Sequence, residues 1–109
     1  MTVLLVALGA ALGAPLRFAV ASALDEDRFP WGTLAVNVTG SFLLGLFVAL
    51  GASGGWLALL GTGFCGGFTT YSAFAVQTHR LGGTRAAAYA GVTVGLALAA
   101  CALGFVLGA

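Results

Sequence analysis

Four apolar stretches fill the chain, each set off by a short polar or glycine-rich interruption. The first runs from about residue 2 to residue 24 and holds one charge, Arg17. A polar loop follows, Asp25-Glu26-Asp27-Arg28-Phe29-Pro30, closed by its proline. The second stretch, about 31–50, is uncharged, and Gly51-Ala52-Ser53-Gly54-Gly55 reads as a turn. The third covers about 56–78, His79 to Arg85 form the last loop, and the fourth, about 86–107, is again uncharged. A spanning helix needs ~20 predominantly apolar residues, so the pattern predicts four transmembrane helices. Pro15 is compatible with the first, because neighbouring helices in a membrane satisfy a freed carbonyl. Trp31 and Trp56 each open a stretch, at the depth where aromatic side chains anchor helices to the headgroup layer.

Composition strengthens this reading. Of 109 residues, 61% are hydrophobic and 6% are charged. A soluble domain carries ~25% charged residues. The expected fold is therefore a single all-α membrane domain over residues 1–109, with lipid as its solvent. The net charge is +1 and lysine is absent, which excludes the concentrated basic face a nucleic-acid binder needs. Cys65 and Cys101 fall inside apolar stretches, where free cysteine behaves as a small hydrophobe. Two lone cysteines make neither a metal site nor a disulfide framework. The first stretch lacks a basic leader and outruns the apolar core of a signal peptide, so it is expected to be retained as a helix.

Charge placement narrows the function further. No Asp or Glu lies within a predicted span. A small proton-coupled multidrug exporter needs a membrane-embedded carboxylate or an equivalent relay. One histidine and three loop acids also cannot assemble a nucleophile, base and acid for catalysis, so no enzyme is expected. A non-transporting assembly bundle is the other alternative, and it gives the polar residues inside the spans no task. Four short helices alone are a poor conduit for a polar solute. The 18 glycines include pairs four apart at Gly9/Gly13, Gly63/Gly67, Gly91/Gly95 and Gly104/Gly108. Such spacing lets helix backbones approach closely.

The informative residues are the polar ones placed in hydrocarbon. In the third stretch, Gly61 to Phe74 contains four glycines and two consecutive threonines, which weaken a helix interior. A break across Gly66 to Thr70 would free backbone carbonyls, tolerated at membrane depth only when buried in protein or lining a polar site. Freed carbonyls can coordinate a cation. The bland alternative is a glycine-rich helix whose threonines bond to their own backbone. Asn37 lies mid-helix in the second stretch, with Ser41 four residues on and so on the same face. An unpaired amide in hydrocarbon costs roughly 2–7 kcal/mol, so Asn37 either glues two helices or donates N–H groups to an anion path. Tyr71 and Phe74, three apart with Ser72 between them, either pack or present their positive ring edges to a small anion. Arg17 either snorkels to the interface or draws anions into a vestibule. His79 is expected in solvent. Tyr89 and Thr93, four apart in the last stretch, could extend a polar track.

Three motifs resemble those of the fluoride channel family, often called Fluc or CrcB. Gly9 to Phe18, GAALGAPLRF, resembles the family's first-helix pattern GGxxGAxxR with an aromatic. Gly32 to Phe42, GTLAVNVTGSF, resembles its second-helix GTLxVNxxGSF, and Gly63 to Phe74, GFCGGFTTYSAF, its third-helix GFxGGxTTFSTF. The resemblance covers nearly the whole chain. It implies a passive, fluoride-selective channel in the bacterial plasma membrane that exports cytoplasmic fluoride and lowers its toxicity. It further implies an antiparallel dimer with two pores at the subunit interface and a central structural sodium ion. That ion would be held by backbone carbonyls of the third-helix break, here Gly66 and Thr69. The fluoride path would include Asn37, Tyr71 and Phe74, with Ser72 on an adjacent polar track and Arg17 toward the entrance. Four departures stand out: Tyr71 where the family has its first pore phenylalanine, Ala73 for threonine, Gln77 for glutamate, and Ala10 for glycine.

The arginines add a question of partnership. The first and last loops fall on one side of the membrane, with Arg28, Arg80 and Arg85, and Arg17 near them. The opposite side has no Lys or Arg. Because such counts steer orientation, the bias and Tyr71 together motivate pairing with an oppositely oriented paralogue; the alternative, slightly favoured, is a dual-topology homodimer in which Arg17 is buried and the remaining bias is tolerated.

Overall fold

The computed structural model describes residues 1–26, 28–51 and 53–109; Asp27 of the first loop and Ala52 of the second turn lie outside the described residues. The described chain is helical in four crossings. α1 is Thr2–Leu24 and α2 is Trp31–Ala49. The third crossing comprises α3 (Gly54–Trp56), a π-helical stretch (Leu57–Cys65), α4 (Gly66–Phe68) and, after two extended residues, α5 (Tyr71–Leu81). The last crossing is α6, Gly83–Gly108. The longest dimension is 42 Å, which matches a bilayer of ~40–45 Å including headgroups. α1, α2 and α6 are each long and apolar enough to cross a membrane. The third crossing is divided, and its second half, 11 residues long, cannot span the ~30 Å hydrocarbon core alone.

Glycines set which helices touch. α1 lies against the first half of the third crossing, and α2 against α6. A Cβ on Gly9 would run into the Leu59 carbonyl, and one on Gly63 would fall 2.8 Å from the Val6 carbonyl oxygen. A Cβ on Gly67 would lie 2.9 Å from the Ala10 Cα. On the other seam, Gly45 faces the Cys101 carbonyl and Gly104 the Phe42 carbonyl. Three of the four glycine pairs thus sit at backbone-to-backbone contacts, as small-residue spacing allows. Gly91 and Gly95 face open space instead. Large apolar side chains such as Phe18, Leu12 and Leu98 point outward, as lipid demands of a bundle with so little polar surface. Both cysteines are free.

Two expectations from the sequence need correction. The break is narrower than Gly66 to Thr70: Gly66 and Gly67 stay helical, and the chain becomes extended only at Thr69 and Thr70. Glycine's low helix propensity is a weak prior, and close packing of Gly67 on α1 overrides it. The last loop is also far shorter than His79 to Arg85. His79 and Arg80 lie in the last turn of α5, where the Arg80 cation favours the negative helix end, and Arg85 belongs to α6. The turn is made by Gly82 (φ 65°) and Gly83 (φ 53°), a backbone conformation that side chains rarely adopt.

At the same end of the molecule, Asp25 caps α2. Its Oδ1 accepts the Thr33 backbone N–H at 2.8 Å, and its Oδ2 accepts the Thr33 hydroxyl at 2.9 Å. Thr33 lies in the first turn, where N–H groups have no helical acceptor and negative charge is favoured.

Candidate functional site

The break is held open by three side chains. In a continuous helix the Thr70 N–H would donate to the Gly66 carbonyl, and the Ala73 N–H to the Thr69 carbonyl. Here the Thr70 N–H donates to Asn37 Oδ1 at 2.7 Å, and Asn37 Nδ2 donates back to the Thr70 carbonyl at 3.0 Å. The Ala73 N–H donates to Thr70 Oγ1 at 3.1 Å, which makes Thr70 the N-cap of α5. Thr69 Oγ1 turns back to the Cys65 carbonyl at 2.8 Å, beside the Thr69 N–H on the same oxygen at 2.9 Å. The carbonyls of Gly66 and Thr69 are thereby released from their helical donors.

Asn37 is buried, so its two-point pairing with the Thr70 peptide satisfies an amide and a peptide group together. Ser41 Oγ donates to the Asn37 carbonyl at 2.7 Å, one turn along α2. Of the four amide hydrogen-bonding sites, one N–H of Asn37 remains beyond those two bonds. The sequence left open whether this residue is helix glue or a donor; the structure gives it a gluing bond and leaves an N–H.

A cleft of about 580 Å³ opens beside the break. Asn37, Ser41, Gly66, Thr69, Thr70, Tyr71 and Phe74 line it, opposite Thr93 of α6. The structure therefore gathers Asn37, Gly66, Thr69, Tyr71 and Phe74 at one place. It does not bring Arg17 or Ser72 there. Arg17 is half-buried on α1, and Ser72 is exposed one residue from the cleft's rim. Tyr71 is 81% exposed, while Phe74 packs behind it at 6.3 Å between ring centres. Phe74 in turn meets Tyr89 at 5.3 Å, and Tyr89 meets Phe29 edge-on at 5.4 Å. Tyr89 and Thr93 are both buried, and among the described residues neither hydroxyl has a hydrogen-bond partner.

A family model described as "CrcB-like protein, Camphor Resistance (CrcB)" matches residues 4–105. The chain belongs to the CrcB family. A relative from Rhodococcus jostii named "Fluoride-specific ion channel FluC 2" is 50% identical, with 96% of each chain covered. One from Thermobifida fusca named "Fluoride-specific ion channel FluC 1" is 45% identical, covering 99% of this chain and 92% of its own. One from Haloarcula marismortui, also named "Fluoride-specific ion channel FluC 2", is 51% identical over 71% of this chain and 65% of its own.

Two positions of this CrcB chain hold more of the structure than their sequence context suggests. Thr70 counted only as one of two threonines near a break, yet its backbone and hydroxyl make three of the bonds that fix it. A signal was present: a threonine immediately before a renewed helical pattern reads as an N-cap. Asp25 counted as loop polarity, although a carboxylate a few residues before an apolar helix is a capping candidate. Gln77, where the family often has glutamate, accepts a hydrogen bond from Arg80 Nε at 2.8 Å on the exposed face of α5.

Proposed function

We propose that the chain forms a passive fluoride-selective channel that lets fluoride leave the cytoplasm across the cell membrane. The observation that carries the reading is the paired break: Asn37 locks Thr70 open, and the Tyr71 and Phe74 rings stand at the resulting cleft. Relatives bearing the fluoride-channel name match almost the full length. Fluoride entering as neutral HF dissociates inside and must exit as the anion, driven by a membrane potential that is negative inside. A selective pore must replace the ion's hydration shell. The remaining Asn37 N–H and the Thr93 hydroxyl supply donors at the cleft, and Phe74 and Tyr71 supply positive ring edges. Ser72 extends the polar track from the rim, and Arg17 favours anions near an entrance.

One open cleft per subunit is a half-site, since its wall ends at an 81%-exposed tyrosine. We place a second subunit there, antiparallel, so that two pores form at the interface. The released Gly66 and Thr69 carbonyls fit a sodium ion on this axis, because hard oxygen donors suit such a cation and a Cβ at Gly66 would meet nothing within the subunit. When bound, the ion would contribute structural support and positive charge beside the anion path. The partner is a second copy or a paralogue: relatives named FluC 1 and FluC 2 are consistent with paralogous pairs, as is the placement of Arg28, Arg80 and Arg85 at one end.

Liposomes reconstituted with this chain alone and read by a fluoride electrode test both levels. Fluoride efflux from these vesicles is expected, and its loss in Asn37→Ala and Phe74→Ala. No efflux from the chain alone, restored by a paralogue, would select the heterodimer. No efflux in either case would overturn the channel reading.

A further inference from the structure

A second cleft, about 380 Å³, lies at the end of the bundle away from the break and at its rim. It is bounded by Glu26, Arg28 and Phe29 of the first loop, Trp31 at the start of α2, and Arg85 and Ala88 of α6. α1 ends at Leu24 and α2 begins at Trp31, so this cleft sits at headgroup depth. Trp31 is half-exposed and leans on Phe29 at 4.4 Å between ring centres, the placement of an interfacial anchor. Arg28 and Arg85 are exposed, and among the described residues neither forms an ion pair, although Glu26 shares the cleft. Two guanidinium groups thus converge on one pocket, unpaired with its carboxylate Glu26 among the described residues, beside the Phe29 and Trp31 rings. None of these residues belongs to the break or to its cleft.

We propose that this cleft binds one phospholipid headgroup, with its phosphodiester between Arg28 and Arg85 and its acyl glycerol edge along Trp31 and Ala88. Guanidinium is the side chain best matched to phosphate oxygens, which it takes two at a time. Basic pockets between transmembrane helices bind phospholipid headgroups in other membrane proteins. Glu26 adds selectivity. It can accept a hydrogen bond from a glycerol hydroxyl or an ethanolamine ammonium, whereas choline has no donor to offer it. The site therefore favours phosphatidylglycerol and phosphatidylethanolamine over phosphatidylcholine. This inference does not rest on fluoride conduction.

The test uses purified full-length protein in detergent, titrated with each of the three lipids and read by native mass spectrometry. Phosphatidylglycerol and phosphatidylethanolamine adducts should exceed phosphatidylcholine adducts. Each interfacial arginine contributes about a fivefold change in lipid affinity, so R28Q/R85Q should weaken binding by roughly thirtyfold. R28K/R85K should recover part of it, because charge returns without the two-point geometry. Glu26→Gln should narrow the gap between ethanolamine and choline lipids. Unchanged helicity by circular dichroism shows that the variants fold. Equal retention of all three lipids, or wild-type retention in a folded R28Q/R85Q, would overturn the proposal. So would complete displacement of lipid by millimolar inorganic phosphate, which would mark a simple anion site.

Discussion

The third crossing has two faces, and glycine means something different on each. On the α1 face, Gly63 and Gly67 are forced: a Cβ at either would lie within 3 Å of α1 backbone. On the cleft face, Gly66 is exposed, and a Cβ there would meet nothing in the subunit. The first face is explained by packing inside one chain. The second is not; on the proposed reading, a partner helix, an ion or both would occupy the space beside Gly66. A stretch that looks like one run of small residues thus has a scaffold face on α1 and an open face on the cleft, which the proposed function makes a site.

The most severe way to strain this contrast is to fill the scaffold face. Gly63→Leu should abolish a folded species, because backbone cannot yield as a flexible side chain does. Overpacking costs about 1–3 kcal/mol in forgiving cores and more where backbone is the obstacle. Gel filtration in detergent should show aggregate in place of the wild-type peak, and a wild-type elution profile would refute the close α1 contact. Filling the cleft face should act differently. Gly66→Ala should leave helicity and elution unchanged while fluoride efflux falls by about tenfold or more, the factor that about 1.4 kcal/mol of added barrier produces. Full efflux with an intact fold would mean that nothing occupies the space beside Gly66, and the two faces would differ only in crowding.

Legibility from sequence followed the same division. Spans were readable because lipid leaves the chain no option except long apolar helices. The outer bounds of α1 and α2 accordingly fall within a residue of those expected. The break was readable as a weakness, from four glycines and the Thr69-Thr70 pair, but its limits were not. Propensity places Gly66 and Gly67 outside the helix, whereas contact with α1 keeps that segment in it. The last turn was misread for a related reason: polar residues from His79 to Arg85 look like a loop, yet two left-handed glycines make the whole turn and free the rest to be helical. What no single-sequence pattern could show is the reciprocal pairing of Asn37 with the Thr70 peptide, a contact between residues 33 apart.

That pairing joins the two faces, and it supplies the next test. Asn37→Leu removes both bonds and leaves the Thr70 N–H and carbonyl buried without partners. An unsatisfied buried group costs about 1–3 kcal/mol, so thermal unfolding in detergent should shift downward while the protein remains folded at room temperature. Asn37→Asp keeps the acceptor for the Thr70 N–H but sets a carboxylate against the Thr70 carbonyl. It should be at least as destabilised as the leucine variant. An unfolding temperature equal to wild type in both would show that the break is held by the Thr70 cap alone.

The gentlest perturbation falls on the exposed rim. Tyr71 is 81% exposed and its ring touches Phe74, so Tyr71→Phe should alter stability by no more than about 0.5 kcal/mol. It restores the aromatic that the family pattern has at this position, and it removes one donor and one acceptor from the cleft. If the ring edge alone faces the anion, efflux should stay near wild type or rise modestly, because the edge is the same in both residues. If instead the hydroxyl donates to fluoride, efflux should fall while the unfolding temperature holds. The comparison of faces predicts the first result. On the proposed reading, a side chain at the open edge of a half-site would contribute its shape to the assembled pore, and the buried donors deeper in the cleft, Asn37 and Thr93, would contribute the hydrogen bonds.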